Sequence, residues 1–130
     1  MQKLCLSMLA AAAASPSPAS ALDSGMKAGL LALDPDTRLE QRCDAEVADR
    51  IASEDKRFDP DKVIAYATQD PKQDGDEIKT RGGAFRSKGE WYHVAYKCLT
   101  APDHIQVLSL RYQIGDKIPE DEWAQYNLYP

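Results

Sequence analysis

The chain has 130 residues, 16 basic and 21 acidic side chains, a net charge of −5 and 43% hydrophobic residues. That length suits one ordinary domain. The acidic balance argues against a nucleic-acid partner, which requires clustered positive charge.

Residues 1–21 read as a secretory signal. Met1-Gln2-Lys3 gives a short positive start, Leu4 to Ala14 an eleven-residue apolar run, and Ala19-Ser20-Ala21 a small-x-small cleavage site before Leu22. The apolar run is shorter than the roughly 20 residues of a membrane span, and no later stretch approaches that length. The expectation is a periplasmic or secreted protein, cleaved after Ala21, with no transmembrane segment. Cleavage would leave 109 residues and remove one base, Lys3, making the net charge −6. It would also remove Cys5, leaving Cys43 and Cys98 as a pair in an oxidising compartment. A disulfide between them is expected, because their wide spacing lacks the Cys-x-x-Cys arrangement of redox-active thiols.

Leu22 to Ala32 is mixed in character and is expected to form a flexible, uncapped N-terminal segment. Its Ser24-Gly25-Met26-Lys27 matches an acyl-enzyme pattern, but the motifs that accompany that pattern are missing downstream. Asp34-Pro35 is a helix start, with Asp34 as N-cap and Pro35 at the first helical position. The helix runs to about Asp55. Leu39, Cys43, Val47 and Ile51 form its apolar stripe, and Arg38, Glu40, Arg42, Glu46, Asp49 and Arg50 its wet side, with Glu46 and Arg50 an exposed pair.

Asp59-Pro60 ends that register, and Lys62 to Thr68 is read as a short strand. Gln69 to Glu77 is a turn-rich loop whose four carboxylates lack the spacing of a calcium loop. From Ile78 the period is two, indicating an antiparallel meander. Ser87-Lys88-Gly89-Glu90 is a hairpin turn that places Phe85 opposite Tyr92 and Arg86 opposite Trp91, with Arg86 over the indole. Gly82-Gly83 suggests a bulge opposite Val94. Tyr92, Val94, Tyr96 and Cys98 face the core, while Trp91, His93, Ala95 and Lys97 face away. Cys98 thus points at the helix that carries Cys43.

After a turn at Ala101-Pro102-Asp103, Gln106 to Ile114 returns with Leu108, Leu110, Tyr112 and Ile114 inward. The expected register pairs Tyr96 with Leu108, Val94 with Leu110, His93 with Arg111 and Lys97 with Val107. The outer face then holds Trp91, Ala95, Ile105 and Val107, more apolar than a wetted surface needs, which implies a cover from the chain or a partner. Gly115-Asp116 is read as a turn, and Ile118 to Trp123 begins a short terminal helix with Pro119 at its first position. Trp123, Tyr126 and Leu128 are expected to dock.

The expected fold is α+β: residues 33–130 form a single domain, an amphipathic helix packed on a three- to four-stranded antiparallel meander with a short C-terminal helix, preceded by the flexible 22–32 segment and the 1–21 signal. Charge is uneven. Residues 34–61 hold ten acids and five bases, and residues 79–117 seven bases and three acids, so a sheet face that recruits an anionic partner is one reading of the asymmetry.

No catalytic motif, cofactor signature or metal-ligand set stands out. The two histidines, His93 and His104, fall short of a four-ligand zinc site. The favoured function is a non-catalytic binding module of the cell envelope, using Arg86, Trp91, His93, Ile105, Val107 and Arg111 toward an unidentified envelope protein or ligand. The competing reading is a small hydrolase or metal-dependent enzyme using His93 or His104 with the Asp74-Asp76-Glu77 loop.

Three segments, Leu33-Asp34-Pro35-Asp36-Thr37-Arg38-Leu39-Glu40-Gln41-Arg42-Cys43-Asp44, Ala84-Phe85-Arg86-Ser87-Lys88-Gly89-Glu90-Trp91-Tyr92 and Tyr112-Gln113-Ile114-Gly115-Asp116-Lys117-Ile118-Pro119-Glu120-Asp121-Glu122-Trp123, resemble the bacterial family called domain of unknown function 930. The likeness covers about residues 30 to 129. It implies an exported protein of alphaproteobacterial type and supplies no catalytic residues.

Overall fold

The computed structural model describes residues 22–130. The expected signal segment, residues 1–21 with Cys5, lies outside the described residues.

Asp34 and Pro35 start the long helix as their chemistry dictates. The Asp34 carboxylate accepts the backbone N–H of Thr37, and the helix runs Pro35–Glu54 (α2). Its stripe, Leu39, Cys43, Val47 and Ile51, is fully buried. Before it lies a helix that the sequence reading leaves as uncapped chain. Ser24–Leu31 (α1) is capped by Asp23, which accepts from the Met26 N–H at 2.7 Å, and it buries Leu30. Gly25 and Gly29 lower the helix propensity of this stretch and mask it in sequence. Arg38 ties the two helices by donating to the carbonyls of Leu30 and Leu33.

The sheet has five antiparallel strands: β1 (Pro60–Ile64), β2 (Lys72–Asp74), β3 (Glu77–Ser87), β4 (Glu90–Thr100) and β5 (Val107–Lys117). Their order is β1-β3-β4-β5, and β2 pairs with the other half of the edge of β3 along which β1 lies. The extra strand arises within the expected loop, where Gly75 at φ 59° closes a tight hairpin between β2 and β3. The Ser87–Glu90 hairpin has the expected register, with Phe85 opposite Tyr92 and Arg86 opposite Trp91. Lys88 and Gly89 both have positive φ, as a two-residue turn matching the twist of the strands demands. The bulge falls between Thr80 and Gly83, and Gly83 pairs with Val94.

Three features of β5 differ from expectation. Cys98 pairs with Leu110, Tyr96 with Tyr112, Val94 with Ile114 and Lys97 with Arg111, a slip of four residues from the expected pairing. The cause is the connection: Ala101 to Gln106 forms a longer loop, held by Asp103 Oδ1 accepting from the N–H groups of Ile105 and Gln106, with His104 in the left-handed region at φ 57°. An even slip leaves the inward set Leu110, Tyr112 and Ile114 on the core side. A bulge between Leu99 and Thr100 then exchanges Leu108 for Val107, so that Val107 packs on the core and Leu108 is exposed. Gly115 and Asp116 are part of β5 rather than a turn.

One face of the sheet packs on α2 through Ile78, Phe85, Val94, Tyr96 and Cys98. Phe85 and Tyr92 stack at 5.3 Å, and Phe58 meets both edge-on. Within this core Cys43 and Cys98 form a disulfide, their Cα atoms 6.1 Å apart. At one end of the opposite face Ala84 and Trp91 form a second cluster with Ile118, Trp123 and Leu128. The cover over the outer face therefore comes from the chain itself. The covering segment consists of two 3-10 turns, Glu120–Glu122 and Ala124–Tyr126, rather than an α-helix. Trp123 and Tyr126 bond three residues back, and the left-handed Asn127 directs the Leu128 N–H to the Trp123 carbonyl.

Two side chains assigned to the wet side of α2, Arg42 and Glu46, are buried. The 101–106 loop folds over them: Arg42 Nε donates to the Ile105 carbonyl at 2.7 Å, and Glu46 accepts a hydrogen bond from Arg42 and forms an ion pair with Arg50.

A cleft beside the C-terminal cap

The hairpin that sets Arg86 beside Trp91 also determines what the pair can do. The Arg86 guanidinium lies 5.7 Å from the Trp91 ring centroid, and its Nε and Nη2 donate to Asp61 of β1 at 2.9 and 3.0 Å. Its Nη1 donates to the Pro130 carbonyl. These hydrogen bonds hold the Asp61 carboxyl below the usual carboxylate range. Trp91 Nε1 donates to the Tyr129 carbonyl at 2.7 Å, and the ring is buried beneath the cap. Both side chains pin the last residues to the sheet, so Trp91 lies on the expected outer face but is covered there by the chain and is closed to a partner as a binding-face residue.

What remains open is a cleft of about 430 Å³ between β1 and the cap. Ile64, Ala67 and Trp91 contribute its apolar lining, with Arg86 beside them. Lys62 and Tyr66 stand on one side, and Gln125, Tyr126, Asn127 and Tyr129 on the other. Tyr66 and Tyr129 are 57% and 67% exposed, an unusual allowance of aromatic surface around one concavity. The meeting of these tyrosines has no signal in the sequence, since it depends on the cap folding back over the sheet.

The other expected binding residues do not join this cleft. His93 is half-buried against Gly115, where a Cβ would lie only 2.9 Å from the His93 Cβ. Ile105 and Val107 lie against α2 instead of on the outer face. Arg111 is exposed on the uncapped part of the outer face, opposite Lys97.

His104 and Asp76 do meet. His104 Nε2 is 3.0 Å from Asp76 Oδ1, and its Nδ1 is 2.6 Å from the Pro35 carbonyl. The ring is buried, and both nitrogens are engaged, so neither is open to a substrate. Glu77 pairs with Lys97 at 3.7 Å. Among the described residues no group of three or more His, Cys, Asp or Glu side chains is placed to hold a metal ion.

One residue without any sequence signal is Asp44. It is buried at the side of the α2 stripe, where its Oδ1 accepts the Tyr96 hydroxyl at 2.7 Å. Burial pushes its carboxyl up to about 8, with nearby Glu40 adding to the effect. The same burial, together with the Asp44 charge, raises the Tyr96 hydroxyl far above its ordinary range. Asp44 borders a groove of about 390 Å³ between α2 and β1, which shares Lys62, Ile64 and Tyr66 with the tyrosine cleft.

Residues 30–128 match the model of the family described as Domain of Unknown Function (DUF930), and the chain belongs to that family. No curated protein and no solved structure matches the chain.

Proposed function

We propose that this member of the family is an exported, non-catalytic binding module of the cell envelope, and that the tyrosine cleft beside the C-terminal cap receives its partner. The observation that carries this reading is the pair of exposed rings, Tyr66 and Tyr129, at a concavity with an apolar lining and polar side chains at its rim. Rigid amphipathic rings of this kind supply contact area at low entropic cost, and they recur at the centres of binding surfaces. Export is supported by the three-part pattern of residues 1–21 and fits a Cys43–Cys98 disulfide, which persists in an oxidising compartment.

The enzymatic reading draws support from the 3.0 Å contact of His104 with Asp76. Weighing against it, the ring is enclosed and has no adjacent nucleophile among its hydrogen-bond partners.

The test is affinity purification of the exported protein from its native envelope, beside a Tyr66→Ala/Tyr129→Ala variant. Loss of a wild-type partner from a variant that melts normally supports the cleft. Retention of every partner overturns it.

A further inference from the structure

β1 ends the sheet. It pairs with β3 along one edge only, and no other described segment bonds to the backbone of residues 60–64. Alternate N–H and C=O groups along its other edge therefore lack a protein partner, and only another extended backbone matches such a row bond for bond. Both flanks of this edge are open. The groove against α2 and the cleft against the cap adjoin along β1, where they share Lys62, Ile64 and Tyr66. Because α2 and the cap pack on opposite faces of the sheet, the successive side chains of a strand laid beside β1 would point alternately into one concavity and the other.

The two concavities differ in chemistry. Asp44 and Asp61 line the α2 groove, and Arg86 already engages Asp61, which leaves Asp44 to meet a ligand. Asp44 is 7% exposed and its Oδ1 is taken by Tyr96, but Oδ2 has no hydrogen-bond partner among the described residues. No fully buried side-chain oxygen there lacks a partner, so Oδ2 opens to the groove. The cleft is lined instead by aliphatic and aromatic carbon, from Ile64, Trp91, Tyr66 and Tyr129.

We infer that the partner presents an extended peptide segment that adds to the free edge of β1 as a further strand, with bulky apolar side chains in the tyrosine cleft and the alternate, basic side chains in the α2 groove beside Asp44. The inference rests on the proposed function of the cleft and names the chemistry of what enters it. A basic side chain supplies both the hydrogen bond that Oδ2 lacks and a charge opposite to the carboxyls. The five residues of β1 span roughly 16 Å, which a segment of similar length matches. A second copy of the chain fits less well. Pro60 has no N–H and a bulge follows it, so the regular edge is short. The copy's own Val63 and Ile64 would also stay in its two core clusters and leave both concavities unfilled.

The test probes the exported chain with the pentapeptide Ac-Leu-Lys-Leu-Lys-Leu-NH2, by titration and by amide hydrogen exchange. The peptide should slow exchange of the outward amides within residues 61–64 by at least about tenfold. Two forms N-methylated at alternate residues should differ in affinity by about tenfold or more, since only every second peptide N–H faces β1. Glutamine in place of both lysines should weaken binding by a similar factor, and Asp44→Asn, which keeps an acceptor for Tyr96, should erase that preference. Unchanged exchange in β1, equal affinity of the two N-methylated forms, or a lysine preference that survives in Asp44→Asn would each overturn the inference. Protection of residues 61–64 that rises with protein concentration alone would overturn it in favour of a second copy. Should Tyr66→Ala/Tyr129→Ala lose the envelope partner while the peptide leaves β1 unprotected, strand addition fails and the cleft stands. Should that variant keep every partner, the cleft fails and this inference with it.

Discussion

The Tyr96 hydroxyl donates a 2.7 Å hydrogen bond to Asp44 Oδ1, tying β4 to α2 beside the Cys43–Cys98 disulfide that joins the same two elements. One helix turn thus carries a covalent and a hydrogen-bonded tie to one strand. The two differ in how they respond to solution conditions.

The folded Asp44 carboxyl titrates at about 8, while an unfolded aspartate titrates near 4. Between those values the folded chain holds a proton that the unfolded chain releases. The Asp44 contribution to stability is therefore fully present below about pH 4 and is lost as pH rises toward 8, at up to about 1.4 kcal/mol per pH unit. Asp44→Asn keeps an acceptor for Tyr96 and removes the titration. Urea unfolding at pH 5 and pH 8 should show a smaller difference for the variant than for wild type, and a more stable variant at pH 8. Equal pH dependence in both proteins would show that Asp44 is not protonated in the fold.

Trp91 and Arg111, grouped by sequence as one binding face, should separate sharply. Trp91→Ala removes a buried indole and its bond to the Tyr129 carbonyl, which costs about 3–5 kcal/mol. Hydrogen exchange should accelerate most over Trp123 to Tyr129, because that segment loses its floor. Arg111 is exposed and has no hydrogen-bond or ion-pair partner among the described residues, so Arg111→Ala should stay within about 0.5 kcal/mol of wild type. Comparable losses in the two variants would contradict the burial of Trp91.

Gly82 is required by close approach rather than by backbone angle. A Cβ there would lie 2.3 Å from the Gln69 backbone N, and backbone cannot yield as a side chain can. Gly82→Ala should cost about 1–3 kcal/mol by overpacking. Gly29 in α1 has nothing within 4 Å of the place a Cβ would take, and Gly29→Ala should stabilise by up to about 1 kcal/mol through helix propensity. Chemical denaturation of the two variants checks both signs. A stabilised Gly82→Ala would show that the bulge can move away from Gln69.

Which features are legible in the sequence follows from how local their causes are. The Asp34 cap, the stripe Leu39-Cys43-Val47-Ile51 and the Ser87–Glu90 hairpin are set by neighbouring residues, and the structure has all three as read. The pairing of Cys43 with Cys98 follows from two local periodicities that each aim a thiol at the core. The β4–β5 register depends on Asp103 bonding two N–H groups and on a left-handed His104, neither of which alternation reveals. Burial of Arg42 and Glu46 depends on that same loop folding over α2, a tertiary event with no helical signature. The tyrosine cleft is illegible for a similar reason, since Tyr66 and Tyr129 are 63 positions apart and meet only through the cap.

The measurement that bears most directly on an exported, covalently tied module is intact-mass spectrometry of the protein recovered from the cell envelope, with and without thiol alkylation. The account predicts a chain beginning at Leu22, two hydrogens lighter than its reduced form and inert to alkylation until a reductant is added. Its reduction should also lower stability by about 4 kcal/mol, as release of a 55-residue separation implies in the chain-entropy model. A chain that still begins at Met1, or one whose Cys43 and Cys98 both alkylate without reduction, would contradict it.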